Sequence, residues 1–241
     1  MKRSEYIPFH EVPFGALPSV EGLGEDLNEF GYRTSEFQRT SELALLVIGD
    51  ETTHAQPGTT SYAQIAGERI SKVTGKSLQM WNLGLPGRGI DYITRTLLCS
   101  VDVLKPEYVL IHFPPPDRRE FFRNDGKRLN YDASMKEASK KGSPAWKKLS
   151  TVDKIVLGHI NELQNEQDDN ANFLKSYKLI ETMLDRRGIS WGYSCAHQCE
   201  PLIHFLIEQG WLNKNKYLGT PLGSEIDHTS IGQAWAEKFA Q

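Results

Sequence analysis

Cysteine is scarce in this 241-residue chain, with only Cys99, Cys195 and Cys199. Three thiols are too few for a disulfide framework and fit a reducing compartment. No apolar run approaches the length of a membrane span. The first residues, MKRSEYIPFHEV, carry two basic side chains but no apolar stretch behind them, so they do not read as a signal peptide. Charge of either sign is not in excess: the net value is −3, which gives no reason to expect nucleic acid or an anionic membrane as partner. Internal repeats and low-complexity tracts are absent too. The expectation is a cytoplasmic protein that meets small molecules, and no stretch speaks to its oligomeric state.

What is present is an alternation of apolar runs and helical stripes. Residues 43–49 (LALLVIG) are seven uncharged apolar positions in a row, the pattern of a strand buried on both faces. Residues 62–73 carry Ile65, Ala66, Ile70 and Val73 at helical spacing, with Gly75 placed to end the helix. A short strand over 78–83 leads into the turn Gly84-Leu-Pro-Gly87-Arg-Gly89, and Ile90, Ile93, Leu97 and Leu98 mark a second helix. Residues 108–113 (YVLIHF) form a third apolar strand. Later come a helix over 173–184, a strand over 189–194, a helix over 201–209 and a closing helix over 229–239. Strand and helix alternate as βαβ crossovers do, which predicts a single α/β domain: a three-layer α/β/α sandwich around a parallel sheet of about five strands, of flavodoxin-like topology.

Two segments fall outside that rhythm. Residues 1–42 have prolines, glycines and no sustained periodicity, and read as an arm laid over the core at 43–113 and 171–241. Residues 114–170 are charge-rich and read as an insertion over the carboxyl edge of the sheet, either lid-like or a solvated excursion, with a helix near 151–166.

In a parallel sheet, ligands bind at the carboxyl ends of the strands. Four polar clusters converge there: Gly49-Asp50-Glu51, the turn at 84–89, the stretch from His112 to Arg119, and Glu225-Ile-Asp227-His228. Backbone N–H groups in a glycine-rich turn can hold an oxyanion, and a late histidine preceded by carboxylates suits a base with an orienting partner. Arg118, Arg119 and Arg123 could clamp an anionic substrate or pair with acids of the insertion. A metal among Asp50, Glu51, His54, His112, Asp227 and His228 is not supported by ligand spacing, and Cys195-Ala-His197-Gln-Cys199 lacks a fourth ligand. No metal or other cofactor is expected.

Taken in order, these blocks resemble the SGNH (GDSL-type) hydrolase family. Asn28-x-x-Gly31-x-Arg33 is similar to a motif ahead of the first strand in one branch. VIGDETTHA resembles the Gly-Asp-Ser-x-Thr block, with Thr53 at the threonine position. Asn82-Leu-Gly-Leu-Pro-Gly87, followed by Asp91-Tyr-Ile, resembles the second block, and Asp227-His228 the terminal one. The resemblance spans most of 28–240, with the insertion outside it. It implies an esterase-like site in which the Gly87 N–H stabilises an oxyanion and His228 is the base.

The departures redirect that expectation. The nucleophilic serine falls on Glu51, and the third block's asparagine falls on Pro116, which has no N–H. Glu225, at −3 from His228, or Asp227, adjacent to it, would orient the imidazole. Two readings follow. One is an atypical hydrolase or acyl-transfer enzyme centred on Glu51 and His228, with Asp50, Thr53, Gly87, Arg118 and Arg119 around the substrate. The other is a non-catalytic binding protein that kept the pocket and lost the nucleophile; it predicts Glu51 locked in a salt bridge, with Arg88 or Arg118.

Overall fold

The computed structural model describes residue 28, residues 32–54, 61–122, 128–131 and 133–138, and residues 143–219. The uncharged run at the start of the core becomes β1 (Leu43–Ile48), buried along its whole length. It is followed by a single helical turn, α1 (Glu51–His54), then α2 (Tyr62–Thr74), β2 (Leu78–Asn82), α3 (Ile90–Leu104) and β3 (Tyr108–Phe113). Ser61 and Gln64 cap the start of α2 reciprocally, and Gly75 ends it in the left-handed region at φ 67°.

The main sheet has the order β2-β1-β3-β6, all parallel, where β6 is Ser190–Cys195. Alternation along β1 builds the layers. Ala44, Leu46 and Ile48 face the larger core with Leu97 of α3 and Phe173, Tyr177 and Ile180 of α7 (Glu166–Arg186). Leu45 and Val47 face Tyr62, Ala63, Ala66 and Ile70 of α2. The expected three-layer α/β/α arrangement is present. The sheet has four strands among the described residues, not the expected five. Beyond β6 the chain makes one parallel bridge, Tyr193 with Tyr217, and Leu218 N–H donates to the Tyr193 carbonyl at 2.9 Å.

Residues 32–42 lie along the outer side of β2. Thr34 Oγ1 donates to the Met80 carbonyl at 3.2 Å and accepts from Asn82 N–H at 3.1 Å, while the Gln79 side chain bridges Gln38 and Thr40. These contacts occupy backbone groups that an edge strand would otherwise expose.

The insertion contains strands that the sequence pattern did not suggest. β4 (Arg119–Phe122) and β5 (Arg128–Tyr131) pair antiparallel, followed by α4 (Ala133–Ala138), α5 (Pro144–Lys148) and α6 (Thr151–Leu163). Tyr131, Leu157 and Ile160 form a small core of their own, with Phe121, Leu129 and Met135 packed against it. Arg95 of α3 holds Glu120 through two hydrogen bonds of 2.9 Å, tying the insertion to the main core. The stretch expected as one helix near 151–166 is α6 and the beginning of α7, broken at Gln164 and Asn165, and Asn165 caps α7. α8 (Glu200–Glu208) follows β6, and the closing helix expected at 229–239 lies outside the described residues.

Candidate functional site at the carboxyl edge of the sheet

Because the four strands are parallel, the ends of β1, β2 and β3 share one edge, and the turns that follow them are packed tightly there. A Cβ on Gly84 would lie 2.6 Å from the Thr53 Cβ. A Cβ on Gly89 would lie 1.9 Å from the Arg118 carbonyl oxygen, so only glycine lets the second turn pass against the third. Asn82 fastens the same region: its Nδ2 donates to the Thr53 carbonyl at 2.7 Å and its Oδ1 accepts from Gly84 N–H at 2.9 Å.

Four of the expected site residues meet here: Glu51, Gly87, Arg118 and Asp50. Glu51, first residue of α1, accepts from Arg118 with both oxygens, Nη2 to Oε1 at 2.7 Å and Nη1 to Oε2 at 2.8 Å. Gly87, at φ 67°, turns its N–H onto the same Oε2 at 3.1 Å. The half-exposed Glu51 carboxylate therefore faces three donor groups. Partial burial pushes its pKa up, but hydrogen bonding to Arg118 and to backbone N–H groups outweighs this and holds it down at about 2.

Asp50 lies behind this pair and is almost fully buried. Its Oδ1 accepts from Thr52 N–H at 3.0 Å, and its Oδ2 accepts from Arg118 Nη1 at 3.1 Å. Burial raises its pKa against the lowering effects of His112 and Arg118. Two consecutive carboxylates on one guanidinium are thus driven in opposite directions, Asp50 up by burial and Glu51 down by its donors.

His112, which opens the polar cluster after the third strand, has a partner that the sequence does not reveal. His112 Nδ1 and Ser194 Oγ are 2.8 Å apart, and His112 Nε2 lies 4.0 Å from Asp50 Oδ1. Ser194 is the register partner of His112 on β6, and both are buried. The line Ser194–His112–Asp50 has the composition of a hydrolytic triad, yet Ser194 is fully enclosed and offers no nucleophile to solvent. The line reaches Asp50 from the core side.

Thr53 is fully buried and paired with Tyr62, Oγ1 to hydroxyl at 2.7 Å, and so braces α1 from within. His54 is also turned inward, Nδ1 on the Gly84 carbonyl at 3.0 Å. Arg119, expected beside the substrate, points the other way. It is held by Asp91 at 3.2 Å, Asp168 at 2.9 Å and Asp169 at 3.3 Å, and serves to dock the insertion on α3 and α7. Arg88 is buried and stacks its guanidinium 6.0 Å from the Tyr92 ring centre; it is not the partner of Glu51. Glu225, Asp227, His228 and Arg123 lie outside the described residues.

Among the described residues, no group of three or more His, Cys, Asp or Glu side chains is arranged to hold a metal ion. Cys199 is buried with its thiol on the Pro114 carbonyl at 3.2 Å, whereas His197 is exposed and pairs with Glu200 at 3.3 Å. Burial raises the Cys199 thiol well above the ordinary range. No helix among the described residues is long and apolar enough to cross a membrane.

No protein-family model and no curated protein matches the sequence. Among solved structures, the chain is similar to a G-D-S-L family protein from Desulfitobacterium hafniense, with 12% identity and a TM-score of 0.41 over 82% of this chain and 99% of that one. It is also similar to an acetylxylan esterase from Geobacillus stearothermophilus, with 13% identity and a TM-score of 0.43 over 83% and 94%. At such values the likeness decides nothing about chemistry.

Proposed function

We propose that this chain is an atypical SGNH-type hydrolase or acyl-transfer enzyme acting on a small ester-like substrate, with Glu51 in the serine's place and His228 as its partner. The observation that carries the proposal is the convergence of Glu51, the Gly87 N–H and Arg118 at one sheet edge. The order of the sequence blocks along the chain supports it independently.

In this reading a substrate carbonyl oxygen replaces Glu51 on the Gly87 N–H, which then stabilises the oxyanion as it forms. Glu51, displaced from Gly87, takes a proton from water as the water oxygen attacks the carbonyl carbon. The alkoxide leaves with a proton from His228, oriented by Glu225 or Asp227. Asp50 keeps Arg118 aimed at the site throughout.

A second reading has specific support. Both Glu51 oxygens are taken by Arg118, the salt bridge expected of a retired nucleophile, and Pro116 offers no donor at the third block. This gives a non-catalytic pocket that binds a ligand without turning it over.

Hydrolysis of a panel of short-chain aryl esters, both neutral and carboxylate-bearing, by the parent, Glu51→Ala, Glu51→Ser and His228→Ala separates the two. Parent activity lost in both alanine variants supports the catalytic pair. A silent parent with activity gained in Glu51→Ser supports the retired-nucleophile reading, and silence in all four proteins sinks the esterase proposal.

A further inference from the structure

We propose that the Arg118 fork is a subsite for a carboxylate group of the substrate, which the Glu51 side chain fills until substrate arrives. This deepens the catalytic reading above and rests on it for its consequence, but not for the binding itself.

The subsite is built independently of its occupant. Arg118 is anchored from behind by Asp50 at 3.1 Å, whose carboxylate is almost wholly buried and held in turn by Thr52 N–H. Its backbone is wedged against Gly89 and donates from its N–H to the Pro115 carbonyl at 3.1 Å. Beside the fork, Gly87 uses a left-handed backbone to present its N–H, which stays available for the substrate carbonyl oxygen. Removing Glu51 leaves all these supports in place. The fork is planar and bidentate, which matches a carboxylate better than a tetrahedral anion.

The occupant is held less firmly than the subsite. The Glu51 side chain is 49% exposed, and an ion pair so open to water contributes little net stability. A ligand carboxylate can therefore exchange with it. The exchange has a chemical consequence: with Arg118 taken by the substrate carboxylate and the Gly87 N–H by its carbonyl oxygen, the burial that pushes Glu51 up is no longer outweighed. Glu51 becomes a competent base only when a carboxylate-bearing substrate is present, which makes Arg118 a specificity-determining residue.

Acetate is the probe, titrated into the 241-residue chain and followed by amide chemical shifts or calorimetry. Glu51→Ala and Glu51→Gln, both checked for folding by circular dichroism, are expected to bind acetate at least tenfold more tightly than the parent. Adding Arg118→Ala to either is expected to abolish that gain. Equal acetate affinity in parent and both variants overturns the subsite, and phosphate binding tenfold more tightly than acetate overturns its assignment to carboxylates. Acetate binding in Glu51→Ala beside a parent silent on all esters would end the hydrolase reading and keep the subsite. Turnover of neutral esters without acetate binding would do the reverse.

Discussion

Arg118→Ala tests the electrostatics of this site most directly, because it removes one cation from two carboxylates whose burial differs. Glu51 is half-exposed, so its share is about 0–1 kcal/mol. Asp50 is buried and would keep only Thr52 N–H and the more distant His112; a lone buried charge costs about 3–5 kcal/mol, and protonation of Asp50 relieves part of this. A total near 2–3 kcal/mol follows, which for a chain of this size lowers Tm by about 4–12 °C at neutral pH. Glu51 has a lowered folded-state pKa, so its contribution is full above the ordinary carboxylate range and is lost as pH falls through that range towards about 2. Asp50 is raised, so its contribution is full at low pH and is lost as pH rises through its folded value. Without Arg118 the Glu51 benefit disappears and the Asp50 penalty at neutral pH grows. The Tm gap between parent and variant should therefore be widest at pH 7–8 and narrow as pH falls below the ordinary carboxylate range. Thermal unfolding followed by circular dichroism from pH 8 to pH 3 reads it. A gap that stays constant, or that widens in acid, refutes the assigned roles.

Gly89→Ala should cost about 1–3 kcal/mol by forcing the second and third turns apart, since the new methyl would meet backbone and not a movable side chain; an unchanged urea midpoint would show that the turns are not in contact. Tyr62→Phe removes the fully buried hydroxyl on Thr53 Oγ1 and should lower stability by about 1–2 kcal/mol with little effect on acetate binding in a Glu51→Ala background. Arg119→Ala should reduce hydrogen-exchange protection in β4 and β5 while leaving protection in β1 and β3 intact, because Arg119 docks the insertion and not the sheet. Loss of protection across both regions would contradict that separation.

The sheet was legible because its strands are uncharged runs whose ends coincide with glycine-rich turns, as at Ile48-Gly49 and Asn82-Leu-Gly84. β4 was not, because Arg119-Glu-Phe-Phe is a short, half-polar strand held by charge pairs to α3 and by packing against α6, which periodicity does not register. The first turns of α7 were missed for a related reason. Asp168 and Asp169 are polar positions in a helix, and their use is to bind Arg119 across the chain. Ser194 was invisible as a partner of His112, since only the register of β3 with β6 brings the two together. Arg118 and Arg119 looked equivalent, but Arg118 precedes β4 and turns to the end of β1, while Arg119 begins the strand and turns towards α3 and α7.

Glu51 shows why the site itself was only half legible. Its place after β1 and its proximity to Gly87 follow from the order of the blocks, but its chemistry is set by a guanidinium 67 positions later, in a charge-rich stretch outside those blocks. A glutamate at that strand end without Arg118 would lose the strongest influence holding its pKa down and bind a proton more readily; with Arg118 it is a strong acid and a weak base. Whether the carboxylate can do catalytic work therefore depends on what displaces it from that arginine. An anionic substrate is the one kind of ligand that both binds Arg118 and frees Glu51 in the same step.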